Sequence, residues 1–362
     1  MTIHAKSAIG LDGVVAAQTS LSHVDGERGE LVIAGRRVDD LGLSVSFEAL
    51  TADLWNASGA SPRDANEAKR LLGVARIKAH GLLEHLLPAT DGMSVVAGLR
   101  ALIAGLRPVE GLPDEIAIVG AIPVLAAAVT RRAAGLPPVA PAQELGHAAD
   151  MLRMFRGADV SDAEARALNA YLVTVIDHGM NASTFAGRVV ASTNADLFMA
   201  TTAAYCALTG PLHGGAPEPV LEMLDEIGTR DNIEPWIDAA LARGDRLMGF
   251  GHRIYRVRDP RADALKRTIE TLSDGSADLG LAAEVEAYAK KALEKAKPDR
   301  RLDTNVEFFT AILLDALDIP RQAFTTVFAA GRASGWTAHA IEQQRTGRLL
   351  RPASVYAGPM PD

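Results

Sequence analysis

Apolar residues recur every three or four positions along most of this chain from about residue 61 onward, in segments rich in alanine and leucine. That spacing matches the period of a helix with one buried face, so it predicts a succession of amphipathic helices. Ser61-Pro62 is typical of a helix start, and Ser161 has the Ser-x-x-Glu spacing of a capping box, which predicts a second start. The predicted helices cover about 62–85, 92–106, 114–134, 142–156, 195–209, 215–228, 232–243, 260–272, 279–296, 305–317 and 321–346.

Strand-like patterns are confined to the first 40 residues. Short β-branched runs at 14–16 and 31–33 flank a turn-rich segment at 24–29. The pattern therefore predicts an all-α fold that carries a short N-terminal β-hairpin.

Composition places the chain among soluble globular proteins. It has 362 residues, of which 48% are hydrophobic and 23% are charged, enough for two domains. With 37 basic and 45 acidic residues the net charge is −8, which argues against general nucleic-acid or anionic-membrane binding.

The ends and the single cysteine bear on location. The N-terminus lacks the features of an export signal, and we expect no segment to be apolar enough over about 18 residues to span a membrane. Cys206 has no second cysteine to pair with and is expected as a small core residue. We therefore expect a cytoplasmic protein.

Two histidines lie in glycine-rich segments, His213 within 210–216 and His252 within 248–256. An imidazole exchanges protons near neutral pH, and flanking glycines let a substrate approach the backbone closely. The pair therefore predicts a site of acid–base chemistry. Gly249-x-Gly251 lacks the third glycine and the preceding strand of a dinucleotide-binding loop, so that alternative is rejected. A basic cluster follows His252 and favours an anion site; it comprises Arg253, Arg256, Arg258 and Arg261.

Glu307 allows two interpretations. Thr304 and Glu307 have the spacing of a capping box, in which Glu307 would only bond back to the backbone of Thr304. Alternatively, Glu307 is a general base, a role that a carboxylate fills best where water is excluded. The side chains of His178, His213, His252 and Glu307 are also of the types that bind metals. No pair has the His-x-x-x-His spacing of metallohydrolases, so we expect no metal.

Two late arginines indicate an oligomer. Arg332 lies 15 residues before the helix breaker Gly347, about 22 Å along a helix, and the four steps on to Arg351 return at most about 14 Å. The two side chains are therefore not expected to meet within one chain. If both serve one site, Arg351 reaches into that of a partner, which implies a homodimer.

Taken together, these segments resemble the citrate synthase family, in its dimeric and mainly bacterial type, over nearly the whole length. The segments that carry the resemblance are 10–15, 25–31, 177–184, 210–216, 248–262, 305–309, 331–332 and 351–352. The resemblance implies a two-domain helical homodimer that closes over its substrates. It places a large dimerisation domain at 1–213 with 313–362, and a small CoA-binding domain at 214–312.

The resemblance also implies an activity, that of an acyltransferase of the tricarboxylic acid cycle. Such an enzyme condenses acetyl-CoA with oxaloacetate and hydrolyses the thioester to citrate and CoA, with no metal or redox cofactor. By resemblance Glu307 is the base, His213 stabilises the enol, and His252 polarises the oxaloacetate ketone. The implied oxaloacetate-binding residues are His178, His252, Arg261, Arg332 and, across the dimer, Arg351. The implied CoA-binding residues are Arg256, Arg253 and Arg258.

One departure from the family pattern leaves alternatives open. Most members carry Asp where this chain has Glu307, and the extra methylene displaces the carboxylate by more than about 1 Å. The leading prediction is a citrate synthase, and the first alternative is a 2-methylcitrate synthase that uses propionyl-CoA. The lesser alternatives are a non-catalytic paralogue that binds CoA or a dicarboxylate, and a metal-dependent lyase.

Overall fold

The computed structural model describes residues 11, 13–213, 217–252, 254–255, 257–272 and 279–361. Within these ranges it has sixteen α-helices and three short strands, which confirms the predicted all-α class. The strands are β1 Ser22–Asp25, β2 Glu30–Ile33 and β3 Arg36–Arg37. The helices are α1 Val38–Leu41, α2 Phe47–Ser58, α3 Ala65–His80, α4 Leu83–Leu86, α5 Val95–Ala104, α6 Asp114–Ala133, α7 His147–Arg156, α8 Asp162–Val175, α9 Ala182–Ala191, α10 Leu197–Leu208, α11 Pro217–Ile227, α12 Ile233–Arg243, α13 Pro260–Leu272, α14 Leu279–Ala296, α15 Val306–Ala316 and α16 Phe324–Thr346.

Two long helices form the centre of the molecule. Helix α16 packs against α2, α6, α8, α9 and α10, and α6 is buried along nearly its whole length. Helix α6 is long and apolar enough to cross a membrane, with a mean hydropathy of 1.6, so the expectation that no segment reaches this limit was wrong. Because 89% of its most apolar stretch is buried inside the protein, α6 is a core helix here.

The N-terminal sheet follows the prediction in its turn and second strand only. Strands β1 and β2 are antiparallel and β3 extends the sheet. The predicted first strand at 14–16 was wrong, because the turn pairs the residues next to it, Ser22 with Ile33 and Asp25 with Glu30. Leu21, Leu31 and Ile33 enter the core, whereas Val15 is 84% exposed.

Helix starts depended on local polar side chains. Ser161 and Glu164 form the predicted capping box, with both reciprocal hydrogen bonds present. The predicted start at Ser61 was wrong, because Asp64 caps α3 by accepting a hydrogen bond from the Glu67 backbone. The expectation of a buried Cys206 was also wrong, since this residue of α10 is exposed.

The sheet and α8 position the segment that follows His252. A Cβ atom on Gly26 in the β1–β2 turn would lie 2.3 Å from the Ile254 carbonyl oxygen, so hairpin and segment are in direct backbone contact. Helix α13 packs against α8 and α15. The Val306 backbone at the start of α15 donates to Asp259, next to the start of α13, and Tyr255 before α13 contacts His178 after α8. The division into two domains stays a prediction, and its boundary at 214 lies outside the described residues.

Candidate active site

Three histidines from separate segments meet at the end of α8. His178 lies in the loop between α8 and α9, and its ring centroid is 5.8 Å from that of His252 in the loop before α13. His213 follows α10 in a turn and accepts a hydrogen bond at Nε2 from the Ser183 backbone, at the start of α9. Burial lowers the pKa of His178 well below its usual value, and the neighbouring Arg261 and Arg332 add to this shift. The structure therefore brings the predicted histidines together around one site.

The His252 ring is a neutral donor that points one nitrogen at the site. Its Nδ1 accepts hydrogen bonds from the backbone nitrogens of Ile254 at 3.0 Å and Tyr255 at 3.1 Å, which places the ring proton on Nε2. Burial, helped by Arg261, lowers the pKa of His252 to about 4. The Nε2 atom lies 3.3 Å from Nη2 of Arg261. Because both atoms are donors, this pair suits an oxygen acceptor placed between them.

The His213 ring is fixed in the opposite tautomer. Because Ser183 donates its backbone N–H to Nε2 at 3.2 Å, the proton of the neutral ring lies on Nδ1. Ser183 is itself held by two side chains, since its hydroxyl donates to Asn181 at 2.7 Å and accepts from Trp336 Nε1 at 3.1 Å. The glycines after His213, at 214 and 215, lie outside the described residues.

Two buried arginines supply positive charge to the same region. Asp259 holds Arg261 through two side-chain contacts, Nε to Oδ1 at 3.0 Å and Nη2 to Oδ2 at 2.8 Å. Arg332 is 1% exposed, donates from Nε to the Val175 carbonyl at 2.6 Å and stacks over Phe328. Burial lowers the pKa of Arg332 to about 10, so it remains cationic at neutral pH. Among the described residues no carboxylate forms an ion pair with Arg332, so the site favours an anionic ligand.

Glu307 faces this region from the first turn of α15. The capping-box interpretation was wrong, because Asn305 is the N-cap and accepts the Glu307 backbone N–H at 2.9 Å, while the Thr304 N–H bonds to Asp303. The Glu307 side chain is half-buried, and its carboxylate has no hydrogen-bond partner in the part of the chain that the structure describes. Burial raises its pKa to about 7, against a lowering effect of Arg261. A carboxylate with that pKa suits general-base chemistry near neutral pH.

A short backbone pairing joins the His252 loop to the start of α15. Phe250 and Thr304 form an isolated antiparallel bridge, and Asn305 donates its backbone N–H to the Gly249 carbonyl at 2.9 Å. The Asn305 side chain also donates to the Gly251 carbonyl at 2.9 Å. Gly249 has φ +83°, and a Cβ there would lie 2.8 Å from Cβ of Phe308, so only glycine fits this approach. The pairing therefore fixes His252 and Glu307 relative to each other.

The structure describes only one of the three predicted CoA-binding arginines, Arg258. Arg253 and Arg256 lie outside the described residues. Arg258 is paired with Asp263, with Glu286 at 2.7 Å and with Asp303 at 3.4 Å, so its charge is already balanced within the protein. A role for these arginines in CoA binding stays a prediction.

Arg351 lies in the exposed, extended segment that follows α16. This segment is held near its start, where the Leu350 backbone donates to the Ser192 hydroxyl at 3.1 Å. Arg351 has no hydrogen bond or ion pair with any described residue of its own chain. Its role across a dimer is therefore untested and stays a prediction.

Sequence reasoning missed a buried network behind His178. His339 contacts the Asp177 carboxylate through Nε2 at 3.2 Å and Arg188 Nη1 through Nδ1 at 2.6 Å. Asp177 lies directly before His178, and its pKa is lowered to about 2 by His339 despite its burial. No local sequence signal marked these contacts, because the residues lie on α9, α16 and the α8–α9 loop.

Within the described ranges no group of three or more histidine, cysteine, aspartate or glutamate side chains is arranged to hold a metal ion. The site is instead lined by neutral donors, two buried cations and one carboxylate. The absence of a metal or other cofactor stays a prediction.

Comparisons with known proteins agree on one family. A family model described as "Citrate synthase, C-terminal domain" matches residues 10–353. Citrate synthase 2 of Bacillus subtilis is 35% identical over 97% of this chain and 95% of its own length. A 2-methylcitrate synthase of Mycobacterium tuberculosis is also 35% identical, over 96% of this chain and 90% of its own.

Solved structures give the same result. The ternary complex of citrate synthase from Thermoplasma acidophilum with carboxymethyl coenzyme A and oxaloacetate superposes with a TM-score of 0.87. It is 28% identical and covers 99% of this chain and 97% of that chain. Citrate synthase from Thermotoga maritima gives a TM-score of 0.82 at 32% identity, with 98% and 96% covered.

Proposed function

Because the chain belongs to the citrate synthase family, we propose that its site condenses acetyl-CoA with oxaloacetate and hydrolyses the resulting thioester to citrate and free CoA. The family's enzymes are acyltransferases, and relatives named citrate synthase and 2-methylcitrate synthase are equally similar to this chain. The condensation of an acyl-CoA with oxaloacetate is therefore common to both candidate functions, a citrate synthase and a 2-methylcitrate synthase. The choice of acetyl-CoA as preferred donor is the part that needs a test.

Oxaloacetate binding follows from the buried cations. A dicarboxylate supplies the anionic oxygens that Arg332 lacks within the described chain, and a guanidinium fork binds a carboxylate with two parallel hydrogen bonds. His178 lies beside both arginines, and Arg351 of a partner subunit completes the set in this proposal. The ketone oxygen then fits between Nε2 of His252 and Nη2 of Arg261, which polarise it.

Enol formation requires a base and a donor at the same time, because the methyl group next to a thioester is a very weak acid. Glu307 removes the methyl proton, and the Nδ1–H of His213 donates to the thioester oxygen as negative charge develops there. The raised pKa of Glu307 brings its basicity closer to that of the carbon acid. The backbone N–H of Ser183 occupies Nε2 of His213, so Nδ1 is the ring nitrogen that this proposal assigns to the thioester oxygen.

Condensation and hydrolysis complete the cycle. The enol carbon attacks the polarised ketone carbon, the new carbon–carbon bond forms, and the ketone oxygen gains a proton to become the hydroxyl of citryl-CoA. Water then attacks the thioester carbonyl and CoA leaves as the thiol. In this proposal the Nε2–H of His252 supplies the proton to the ketone oxygen and regains one from the attacking water, and the proton held by Glu307 passes to the departing thiolate.

The single observation that carries this proposal is the convergence of His252, Arg261 and Glu307 with His178 and Arg332. The test is to incubate the purified protein with oxaloacetate and either acetyl-CoA or propionyl-CoA, and to measure free thiol. We expect thiol release that depends on oxaloacetate and a higher kcat/KM with acetyl-CoA. A higher kcat/KM with propionyl-CoA would instead assign a 2-methylcitrate synthase, and no release with either thioester would refute the proposal. One methylene is worth only about 10- to 200-fold in such a comparison, so both thioesters are measured.

Three further parts of the proposal concern the whole enzyme. It works as a homodimer in the cytoplasm, and it needs no metal or redox cofactor. The condensation has no net oxidation, which supports the absence of a redox group. The single cysteine has no partner within the chain, which fits a reducing compartment.

A further inference from the structure

Tyr255 contacts three of the residues that the proposed function assigns to oxaloacetate. Its side chain is 2% exposed, and its hydroxyl oxygen lies 3.0 Å from Nε2 of His178. Its ring centroid is 4.8 Å from that of His252, and the guanidinium of Arg261 lies 5.9 Å from the same ring. A buried tyrosine hydroxyl at the centre of such a set must have a defined hydrogen-bond role.

The direction of the Tyr255–His178 hydrogen bond follows from what else surrounds the hydroxyl. The described residues offer this hydroxyl no second hydrogen-bond partner. If it accepted a proton from His178, its own hydrogen would be buried without an acceptor, which is unfavourable. Tyr255 therefore donates and Nε2 of His178 accepts. A neutral imidazole that accepts at Nε2 carries its proton on Nδ1.

We infer that Tyr255 is a positioning residue for substrate binding: its hydroxyl holds His178 in the tautomer whose Nδ1–H donates to a carboxylate of oxaloacetate. The inference rests on the proposed function for the identity of the substrate. The tautomers of the other two histidines are set in the same way. The Ser183 backbone donates to Nε2 of His213, and the backbone after His252 donates to Nδ1 of His252, so the other nitrogen of each neutral ring carries the proton. His178 differs in one respect, because its donor is a side chain that a substitution can remove.

Tyr255→Phe tests the inference, because it keeps the ring contacts with His252 and Arg261 and removes only the hydroxyl. Without that donor, His178 is free to place its proton on Nε2 and to present an acceptor to the substrate. We expect the KM for oxaloacetate to rise about tenfold, as for the loss of one hydrogen bond to a charged group, with kcat changed less than about threefold. An unchanged KM would overturn the inference.

Tyr205→Phe is the matched control. Tyr205, on α10 and away from the site, is also a buried tyrosine. Its hydroxyl donates to the Val96 carbonyl at 2.9 Å. Both variants lose one buried hydroxyl, and both are expected to unfold at a slightly lower temperature. Only Tyr255→Phe should change the KM for oxaloacetate. Equal changes in the two variants would mean that Tyr255 acts on stability alone.

Two further measurements separate positioning from a general structural role. In a His178→Ala background, Tyr255→Phe should raise the KM no further, because the hydroxyl acts through His178; additive effects would contradict this. Nitrogen-15 NMR of histidine-labelled protein reads the tautomer directly, without substrate. We expect the His178 signals to report a proton on Nδ1 in the parent protein and to shift in Tyr255→Phe.

The NMR result also separates this inference from the proposed function. A protein that turns over neither thioester refutes the function and leaves the tautomer measurement intact. A His178 ring that carries its proton on Nε2 in the parent protein, or that does not respond to Tyr255→Phe, refutes the inference whatever the turnover.

Discussion

Glu307 extends one methylene further than the aspartate that the family resemblance leads us to expect at this position. Its backbone cannot simply retreat to compensate, because the first turn of α15 is held by Asn305 at the Glu307 N–H and by Asp259 at the Val306 N–H. The longer side chain instead enters a half-buried space in which the described residues offer its carboxylate no hydrogen bond. Burial without a partner is what raises its pKa.

Glu307→Gln tests the role of this carboxylate. The substitution keeps the size of the side chain and removes its basicity, so we expect kcat to fall about 10²- to 10⁴-fold while the KM for oxaloacetate changes little. Glu294→Gln, on an exposed face of α14, is the control and should leave kcat unchanged. Turnover that survives Glu307→Gln would show that Glu307 is not the base.

The pH dependence of kcat/KM follows from the same residue. The base must be ionised, and its pKa is raised to about 7, so activity should be lost as the pH falls through about 7 and reach a plateau above it. His252, with its pKa lowered to about 4, stays neutral across this window and adds no second step. The measurement is kcat/KM from pH 5.5 to 8.5, followed by loss of thioester absorbance. A kcat/KM that stays level from pH 5.5 to 8.5 would contradict the buried environment described for Glu307.

At this scale the sequence located the side chains that the structure brings together better than the contacts that orient them. His213 and His252 were singled out from their glycine-rich segments and Glu307 from its place at a helix start, whereas the role of His178 came from the family resemblance; the catalytic roles of these residues stay predictions. Tyr255 was given no role, although it lies in the recognised segment, because its contacts depend on which distant groups it faces. Whether an imidazole nitrogen donates or accepts is decided by tertiary contacts, and no local pattern records these.

At the scale of elements, the start of α15 is the critical feature. The side chain of Asn305 caps the helix by accepting the Glu307 N–H and also donates to the Gly251 carbonyl, so one residue connects the helix to the His252 loop. The cap therefore sets both the conformation of the first turn and its distance from the neighbouring loop.

Asn305→Ala is expected to affect stability and catalysis together. Loss of an N-cap costs about 1 kcal/mol in the free energy of unfolding, and here it also releases Glu307 from its position. We expect a fall in kcat of at least about tenfold, since small displacements of a reacting group are costly. Urea unfolding and steady-state kinetics measure the two effects. Asp64→Ala removes the equivalent cap of α3 and should lower stability alone; a kcat loss of the same size in both variants would contradict the proposed link.

Helix positions were predictable to within a few residues because their apolar period is local. Helices α13 and α14 have the predicted bounds, and α6 and α15 differ by one residue at an end or at each end. The errors arose where a polar side chain or a pairing partner decides the boundary, as at Asp64 for α3 and at Ser22 for β1. The apolar pattern predicts no helix before residue 61, whereas α2 lies at Phe47–Ser58.

At the scale of the whole molecule, the proposed homodimer implies that Arg351 of one subunit serves the site of the other. In one chain this residue is exposed and has no partner among the described residues, while Arg332 is buried beside the histidines. The geometry of the sequence between them led to the prediction that Arg351 acts in trans. Mixed dimers distinguish this arrangement from one in which Arg351 serves its own subunit.

Mixing Arg351→Ala dimers with Glu307→Gln dimers under conditions that allow subunit exchange is the experiment. If Arg351 acts across the dimer, each mixed dimer contains one site with both residues intact. Half of the dimers are mixed after random exchange, so we expect the activity to recover to about one quarter of the parent value. If Arg351 serves its own subunit, both sites of a mixed dimer stay defective and no recovery occurs. Mixing two batches of the same variant is the control for exchange itself.

The pairing of Phe250 with Thr304 has an evolutionary consequence. It ties the chain to itself at two points, with the Asn305–Gly251 contact joining residues 54 positions apart, so the intervening segment is a loop closed at its base. Lengthening a closed loop adds little entropic cost. Helix α14 carries none of the candidate site residues, but its Glu286 accepts from the Thr304 hydroxyl at 2.8 Å and from Arg258 at 2.7 Å, so it also supports the base of the loop. Parts of the loop outside these contacts can therefore change in length without altering the separation of His252 and Glu307.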